Sequence, residues 1–142
     1  MTPDDPIQYA ASVVGEDPMA RFLGIEVVKV AKNYARLRLS MRPELLNAMG
    51  RGHGMVLSAL ADQSVAVAAN TGGDTALVVE LTVSFIAGVG PAETLTATAT
   101  AISRKRRLSF WDVDIRDGGN HQVATARALT YHRPADRTPN ST

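Results

Sequence analysis

The carboxylate of Asp62 is the strongest candidate for chemistry in this sequence. It lies between Leu60 and Val65 in a stretch that is rich in alanine, leucine and valine and free of proline, which predicts an apolar helix. Burying a carboxylate in such a helix is costly and tends to raise its pKa. The alternative is a structural role, with Asp62 bonded to Ser58 one turn earlier or to another core group. Because alanine would serve stability as well, we favour the functional interpretation.

The start of this helix offers a second chemical group. Gly52, His53 and Gly54 lead into the apolar run, and the free N–H groups of a helix N-terminus can hold an anion or an oxyanion. For an isolated His-Gly pair an ordinary helix start is the commoner explanation. Asn47 in the preceding loop is a candidate to orient a water or a carbonyl, although an asparagine near Gly50 is also typical of a turn.

The spacing of these groups has a consequence for assembly. Asp62 follows Gly54 by eight residues, which on one helix is an axial rise of about 12 Å. The two groups therefore cannot reach the same carbonyl carbon from one chain. If both act on one substrate, Asp62 comes from one subunit and the Gly54 amide from another, with their helices antiparallel across a two-fold axis. The mechanism would then require a dimer.

A basic run, Arg104-Lys105-Arg106-Arg107, falls between two predicted strands. It can bind phosphates, or it can be a solvated turn that keeps a sheet edge soluble. Without clustered aromatic residues beside it, nucleic acid is a poorly supported partner. The three histidines lack metal-ligand spacing, and neither a glycine-rich nucleotide motif nor a G-x-S-x-G elbow is present.

Composition excludes further classes. The 142 residues contain no cysteine and carry a net charge of +1, so we expect no disulfide framework, no cysteine-based metal site and no broad field for nucleic acid or lipid. Residues 1–8 lack the basic and apolar pattern of a signal peptide. The longest apolar stretch, Gly54–Ala69, is interrupted by polar residues and too short for a bilayer. We expect a cytoplasmic protein with no membrane partner.

The elements around these groups follow from periodicity. Residues 5–23 predict one helix or two short helical pieces, and residues 24–41 predict a hairpin with its turn at Lys32-Asn33. After the central helix, four alternating segments predict strands, which we expect to form an antiparallel meander. One domain then covers residues 1–133, and residues 134–142 form a flexible tail.

Burial of the central helix sets the architecture. A helix that is apolar on nearly all faces must be covered on nearly all faces, which predicts an α+β fold in which a curved antiparallel sheet of about six strands wraps around it. Such a sheet leaves an edge strand open. Pairing of that edge with a second copy would remove the aggregation hazard.

The order of these elements, with Asn47 to Gly54 followed by Leu60-Ala61-Asp62, resembles the hotdog-fold acyl-CoA thioesterases of the phenylacetate-degradation (PaaI-like) type. The similarity extends over residues 20–132. The resemblance implies that Asp62 acts as general base or nucleophile and that the Gly54 amide is the oxyanion donor. It also implies that Asn47 and His53 position the carbonyl and the water.

The resemblance further implies homodimers that pair into homotetramers with shared sites. We expect the substrate to be an aromatic or medium-chain acyl-CoA, with branched acyl groups also open, and we expect no metal or redox cofactor. Arg104, Arg106 and Arg107 would contact the phosphates of coenzyme A. Ser58 and Val78 complete the predicted substrate-binding residues.

The sequence departs from the family pattern at three positions. Met55 replaces the second glycine of His-Gly-Gly, Val78 stands where relatives often place a serine or threonine that holds water, and Lys105 stands where many have a turn glycine. Met55 and Val78 motivate a rival hypothesis, in which the protein binds acyl-CoA without hydrolysing it, as a sensor or carrier.

Overall fold

Six strands and one long helix dominate residues 5–133, the part of the chain described by this computed structural model. The predicted tail, residues 134–142, lies outside the described residues. In chain order the elements are α1 (Pro6–Tyr9), a π-helical turn (Ala10–Val14), α2 (Pro18–Leu23), β1 (Glu26–Ala31), β2 (Tyr34–Ser40), a 3₁₀ turn (Pro43–Leu45), α3 (Gly54–Ala69), a 3₁₀ turn (Asn70–Gly72), β3 (Thr75–Phe85), β4 (Thr94–Arg104), β5 (Leu108–Arg116) and β6 (Gln122–Arg133).

The N-terminal elements match the sequence prediction. The helical region divides into α1, the π-helical turn and α2, with Asp17 capping the start of α2 and Gly24, at φ +78°, ending it. The hairpin of β1 and β2 turns at Lys32-Asn33, where Asn33 takes a left-handed conformation with φ +59°.

The strands form one antiparallel sheet in the order β1-β2-β4-β5-β6-β3. The predicted four-strand meander is right for β4, β5 and β6 and wrong for β3, which pairs with β6 at the sheet edge instead of with β4. Two backbone bonds hold the crossing segment that follows β3: Gly52 N–H donates to the Val89 carbonyl and Met41 N–H to the Glu93 carbonyl. Alternation assigns each residue to a face, but it does not identify the neighbouring strand.

Small side chains on the inner sheet face let α3 approach closely. Ala97, Ala99, Ala126 and Ala128 are buried there beside larger residues such as Trp111. Tight packing of this kind makes the position of the helix well defined. The buried residues of α3 are Val56, Leu57, Leu60, Ala61, Ser64, Val65, Val67, Ala68 and Ala69.

One face of α3 remains open, which corrects the expectation that the sheet covers nearly all of it. Met55 is 72% exposed, and Asp62, predicted to be buried, also lies on this open face. The sheet ends beside it at β3, whose Leu77 and Val79 are 62% and 56% exposed. The six strands do not surround α3 completely. The apolar edge strand β3 and the open face of α3 therefore lie side by side.

Candidate active site

The N-terminus of α3 is shaped by His53. Its backbone is extended and its Nδ1 atom accepts a hydrogen bond from the Met55 N–H at 3.0 Å. An accepting Nδ1 places the proton of the neutral ring on Nε2, which leaves Nε2–H as a donor. Within the described part of the chain, the Gly54 N–H has no hydrogen-bond acceptor. An unpaired amide at a helix start is the arrangement that an oxyanion donor requires.

An open cleft of about 430 Å³, the Gly54 cleft, adjoins this helix start. It is lined by Gly54 and Asn47, by Phe85 and Ile86, and by Arg51. The cleft is therefore mostly apolar and has the Gly54 amide at its edge.

Asn47 is largely engaged in its own turn. Its Oδ1 atom accepts from the N–H groups of Met49 at 2.9 Å and Arg51 at 3.1 Å, and its carbonyl accepts from Gly50. This is the turn role that the sequence left open. Within residues 5–133 the side-chain amide nitrogen of Asn47 has no hydrogen-bond acceptor, so a role for Asn47 toward substrate stays a prediction.

Asp62 borders a second cleft of about 360 Å³, the Asp62 cleft, which lies between α2, α3 and the start of β3. Val78 lies in this cleft, and Ser58 is half-buried on α3 one turn before Asp62. Desolvation by the surrounding atoms raises the pKa of Asp62, and the nearby charge of Asp17 raises it further. Among residues 5–133 no side chain donates a hydrogen bond to Asp62, so the alternative of a carboxylate held by Ser58 is not what the structure has.

The two clefts lie apart in one subunit. Asp62 and Gly54 are eight residues apart on an unbroken helix, an axial separation of about 12 Å. The structure thus keeps the geometry from which a site shared between two chains was predicted.

The basic turn between β4 and β5 lies at the other end of α3 from Gly54. Strand pairing places Arg104 beside Ser109 and Thr75 beside Arg133, so this turn and the start of β3 share one end of the sheet. Arg106 and Arg107 are exposed. Both lie at the end of the sheet that borders the Asp62 cleft.

Arg104 differs from its two neighbours. Its guanidinium donates to Asp74 at 3.1 Å and contacts the ring of His132, which is fully buried. Its charge is balanced inside the subunit, so a phosphate would have to compete with Asp74 for it.

Sequence reasoning missed two residues that the structure brings to the clefts. Asp17 lines the Asp62 cleft, and Phe85 packs against Gly54. The Asp17-Pro18 pair signals a helix start in the sequence, but which cleft it adjoins depends on tertiary packing.

No helix among residues 5–133 is both long and apolar enough to cross a membrane. The described residues also contain no cluster of three or more histidine, cysteine or acidic side chains suited to a metal ion.

Comparison with known proteins identifies the family. Residues 49–124, which include Gly54, Asp62 and β3, match the thioesterase superfamily. The chain belongs to this superfamily. The acyl-coenzyme A thioesterase PaaI of Escherichia coli K12 is 27% identical over 124 residues, covering 87% of this chain and 89% of that protein.

Solved structures agree with the sequence match. The PaaI protein of the E. coli phenylacetic acid degradation operon superimposes with a TM-score of 0.87 at 25% identity, covering 95% of this chain and 98% of that one. A mutant of the phenylacetic acid degradation protein PaaI from Thermus thermophilus superimposes with a TM-score of 0.79 at 26% identity, covering 82% and 100%. These matches confirm the predicted hotdog fold, the PaaI-like family and a thioester hydrolase.

Proposed function

We propose that this protein is an acyl-CoA thioesterase that hydrolyses an aromatic or medium-chain acyl-CoA to the free acid and coenzyme A. The observation that carries the proposal is the pair of unsatisfied groups on α3. Asp62 is a carboxylate with a raised pKa and no donor among the described residues, and the Gly54 amide has no acceptor there. A base and an oxyanion donor are the two groups that attack on a thioester needs.

The reaction follows from these groups. Asp62 removes a proton from a water that attacks the thioester carbonyl carbon, or its carboxylate attacks first and water then cleaves the resulting anhydride. The Gly54 amide donates to the oxyanion of the tetrahedral intermediate. The C–S bond breaks, and the thiolate of coenzyme A leaves and is protonated. The reaction changes no oxidation state, and we propose that it uses no metal or redox cofactor.

We propose that each site is shared between two subunits. The apolar side chains of Leu77, Val79 and Phe85 on β3 are exposed. Leu77 lines the Asp62 cleft and Phe85 lines the Gly54 cleft. Burying such an edge against the same edge of a second copy would place the Asp62 cleft of one subunit beside the Gly54 cleft of the other. We propose that these homodimers pair into homotetramers, as the family resemblance implies.

Substrate placement follows from the Asp62 cleft. Its lining includes the small side chains of Ala59, Ala66 and Ala76 and the apolar side chains of Leu23 and Leu77. We propose that the acyl group binds there, with Arg106 and Arg107 contacting the phosphates of coenzyme A at the same end of the sheet. We also propose that the protein works in the cytoplasm, where acyl-CoA is available.

A second candidate function is acyl-CoA binding without hydrolysis. Val78 places an apolar side chain in the Asp62 cleft, and Met55 presents a long exposed side chain next to Gly54. Val78 cannot hold a catalytic water as a serine or threonine hydroxyl can, and Met55 adds a side chain where the family pattern has a glycine.

Thiol release separates the two functions. We would assay phenylacetyl-, hydroxybenzoyl-, short-, medium- and long-chain acyl-CoA with the wild type, Asp62→Asn, and Asp5→Asn as a matched control. Loss of general-base catalysis should lower kcat by about 10²–10⁴-fold in Asp62→Asn only. Activity that survives this change would contradict the mechanism. Tight binding with no release by the wild type would favour the sensor or carrier.

A further inference from the structure

A second carboxylate, that of Asp17 at the start of α2, lines the same cleft as Asp62. Asp17 is the N-cap of α2, its backbone is extended, and its Oδ1 atom accepts from the Ala20 N–H at 3.0 Å. Pro18 follows at the first helical position and fixes the entry of the chain. The half-buried carboxylate is therefore held in place by the start of its own helix.

Among the described residues, the other groups around Asp62 supply no compensating positive charge. On α3, the Gln63 amide donates to the Val14 carbonyl at 2.8 Å. On β3, the cleft is lined by Ala76, Leu77 and Val78. On α2, Arg21 donates to the backbone of Glu16 and pairs with its carboxylate at 3.7 Å. Of the described residues that line the cleft, Asp17 and Asp62 are the two with ionisable side chains.

We propose that Asp17 is a positioning residue for the Asp62 reaction: its carboxylate, fixed at the start of α2, faces the same cleft and makes Asp62 a stronger base than it would be alone there. The inference rests on the proposed function, because it concerns the base of that reaction.

The physical basis is Coulombic. Ionising Asp62 beside a fixed negative charge costs free energy, and the Asp17 charge adds to desolvation in raising the pKa of Asp62. A general base is most effective when its pKa lies near the working pH. Because the interaction crosses a solvent-accessible cleft, salt should weaken it.

The test uses variants that change the charge and keep the cap. In Asp17→Asn and Asp17→Ser the new side chain still caps α2. Asp5→Asn is the matched control, because Asp5 caps α1 in the same way, accepting from the Gln8 N–H at 3.1 Å, and does not line the cleft. We would measure kcat/KM against pH at low and high salt, together with a carbon-13 NMR titration of the Asp62 carboxyl in the full-length protein.

We expect both Asp17 variants to move the acidic limb of the kcat/KM profile and the NMR midpoint of Asp62 to lower pH. They should be several-fold faster than the wild type on that limb and somewhat slower on the plateau. High salt should move the wild type in the same direction, and Asp5→Asn should match the wild type. An Asp62 midpoint that is the same in Asp17→Asn and the wild type would overturn the inference.

The two readouts also separate this inference from the proposed function. If the wild type releases no thiol from any substrate, the proposed function fails, while the NMR titration still decides whether Asp17 acts on Asp62. If hydrolysis depends on Asp62, but the kcat/KM profile and the NMR titration of Asp62 are the same in the Asp17 variants as in the wild type, the proposed function stands and the inference about Asp17 fails.

Discussion

The ring of Phe85, at the end of β3, packs directly against Gly54, at the start of α3. A Cβ atom at residue 54 would lie 3.0 Å from Cζ of Phe85, closer than such contacts normally allow. Gly54 therefore serves two purposes: its amide is unpaired, and its missing side chain makes room for the aromatic ring beside that amide. The relationship links the edge strand to the proposed oxyanion donor.

Separate variants can test the space and the amide at Gly54. Gly54→Ala keeps the N–H and should reduce activity because Phe85 must move; adding Phe85→Leu should restore much of the loss. Gly90→Ala is the control, since a Cβ there meets its nearest atom, Cγ of Glu93, at 3.8 Å. The measurement is the steady-state kinetics of the wild type, Gly54→Ala, the double variant with Phe85→Leu, and Gly90→Ala. No recovery in the double variant would show that the ring is not the obstacle.

Gly54→Pro removes the amide hydrogen at a position that accepts proline. Gly54 is the first residue of α3, and His53 has φ −71° and ψ 135°, which suit a residue before proline. In a Phe85→Leu background, this change should lower kcat about 10²–10³-fold by removing an oxyanion donor, with Gly54→Ala in the same background as control. A kcat equal to that of the alanine control would exclude the Gly54 amide as the donor.

The central helix α3, the six strands and the Asn47–Gly54 and Leu60-Ala61-Asp62 motif were predictable, because each depends on the types and spacing of residues close together in the sequence. The alternating alanines of β4 and β6 assign the inner face, and Asn33 marks its turn. The place of β3 and the open face of α3 were not predictable. Leu77 and Val79 alternate as they would in a covered strand, and the apolar residues of α3 look the same whether they are covered by their own sheet or by another subunit. For the same reason Asp62 was expected to be buried.

Asp62 should lower the stability of the folded chain at neutral pH. The folded state raises the pKa of this carboxyl, so the folded state favours its protonated form. Relative to an unfolded aspartate, which titrates near pH ~3.9, the penalty is absent at lower pH and grows as pH rises through the folded pKa. Asp62→Asn should therefore melt at higher temperature than the wild type at pH 7 and equally at pH 3. A lower Tm at pH 7 would contradict the raised pKa.

His132 should make stability fall in acid. It is fully buried, accepts or shares hydrogen bonds with Thr130 at 2.8 Å, and contacts Arg104 and Asp74. Burial is the main cause of its lowered pKa, and Arg104 adds to it, while Asp74 opposes it. The neutral ring thus stabilises the fold above the unfolded pKa of about 6.5, and that stability is lost as pH falls through the folded value.

The measurement for His132 is the urea midpoint between pH 5 and pH 7.5. The wild type should lose stability toward pH 5, and His132→Gln should be less stable at pH 7.5 but show a flatter dependence. His121→Gln is the control, since His121 is exposed on the β5–β6 turn. If the urea midpoint of His132→Gln falls with pH as steeply as that of the wild type, groups other than His132 cause the loss of stability in acid.

Replacing Arg106 and Arg107 should weaken coenzyme A binding. At about 0.2–1 kcal/mol for each exposed charged contact, Arg106→Ala with Arg107→Ala should raise KM for acyl-CoA about 2–30-fold. KM for the matching acyl-pantetheine, which lacks the nucleotide phosphates, should not change. Arg104→Ala should instead lower the Tm, because it leaves Asp74 without its ion pair. If the double variant changes KM equally for acyl-CoA and for acyl-pantetheine, Arg106 and Arg107 do not contact the phosphates of coenzyme A.

Mixing two inactive variants would test the shared site. In a dimer of Asp62→Asn with Gly54→Pro, one site carries both defects, and the other has Asp62 from one subunit and Gly54 from its partner, both intact. Random exchange after refolding gives half heterodimers with one good site of two, so activity should return to about a quarter of the wild-type value. A mixture with Asp62→Asn alone, refolded in the same way, is the control. Were both groups supplied by one chain, the mixture would stay inactive, because every chain in it lacks either the base or the oxyanion donor.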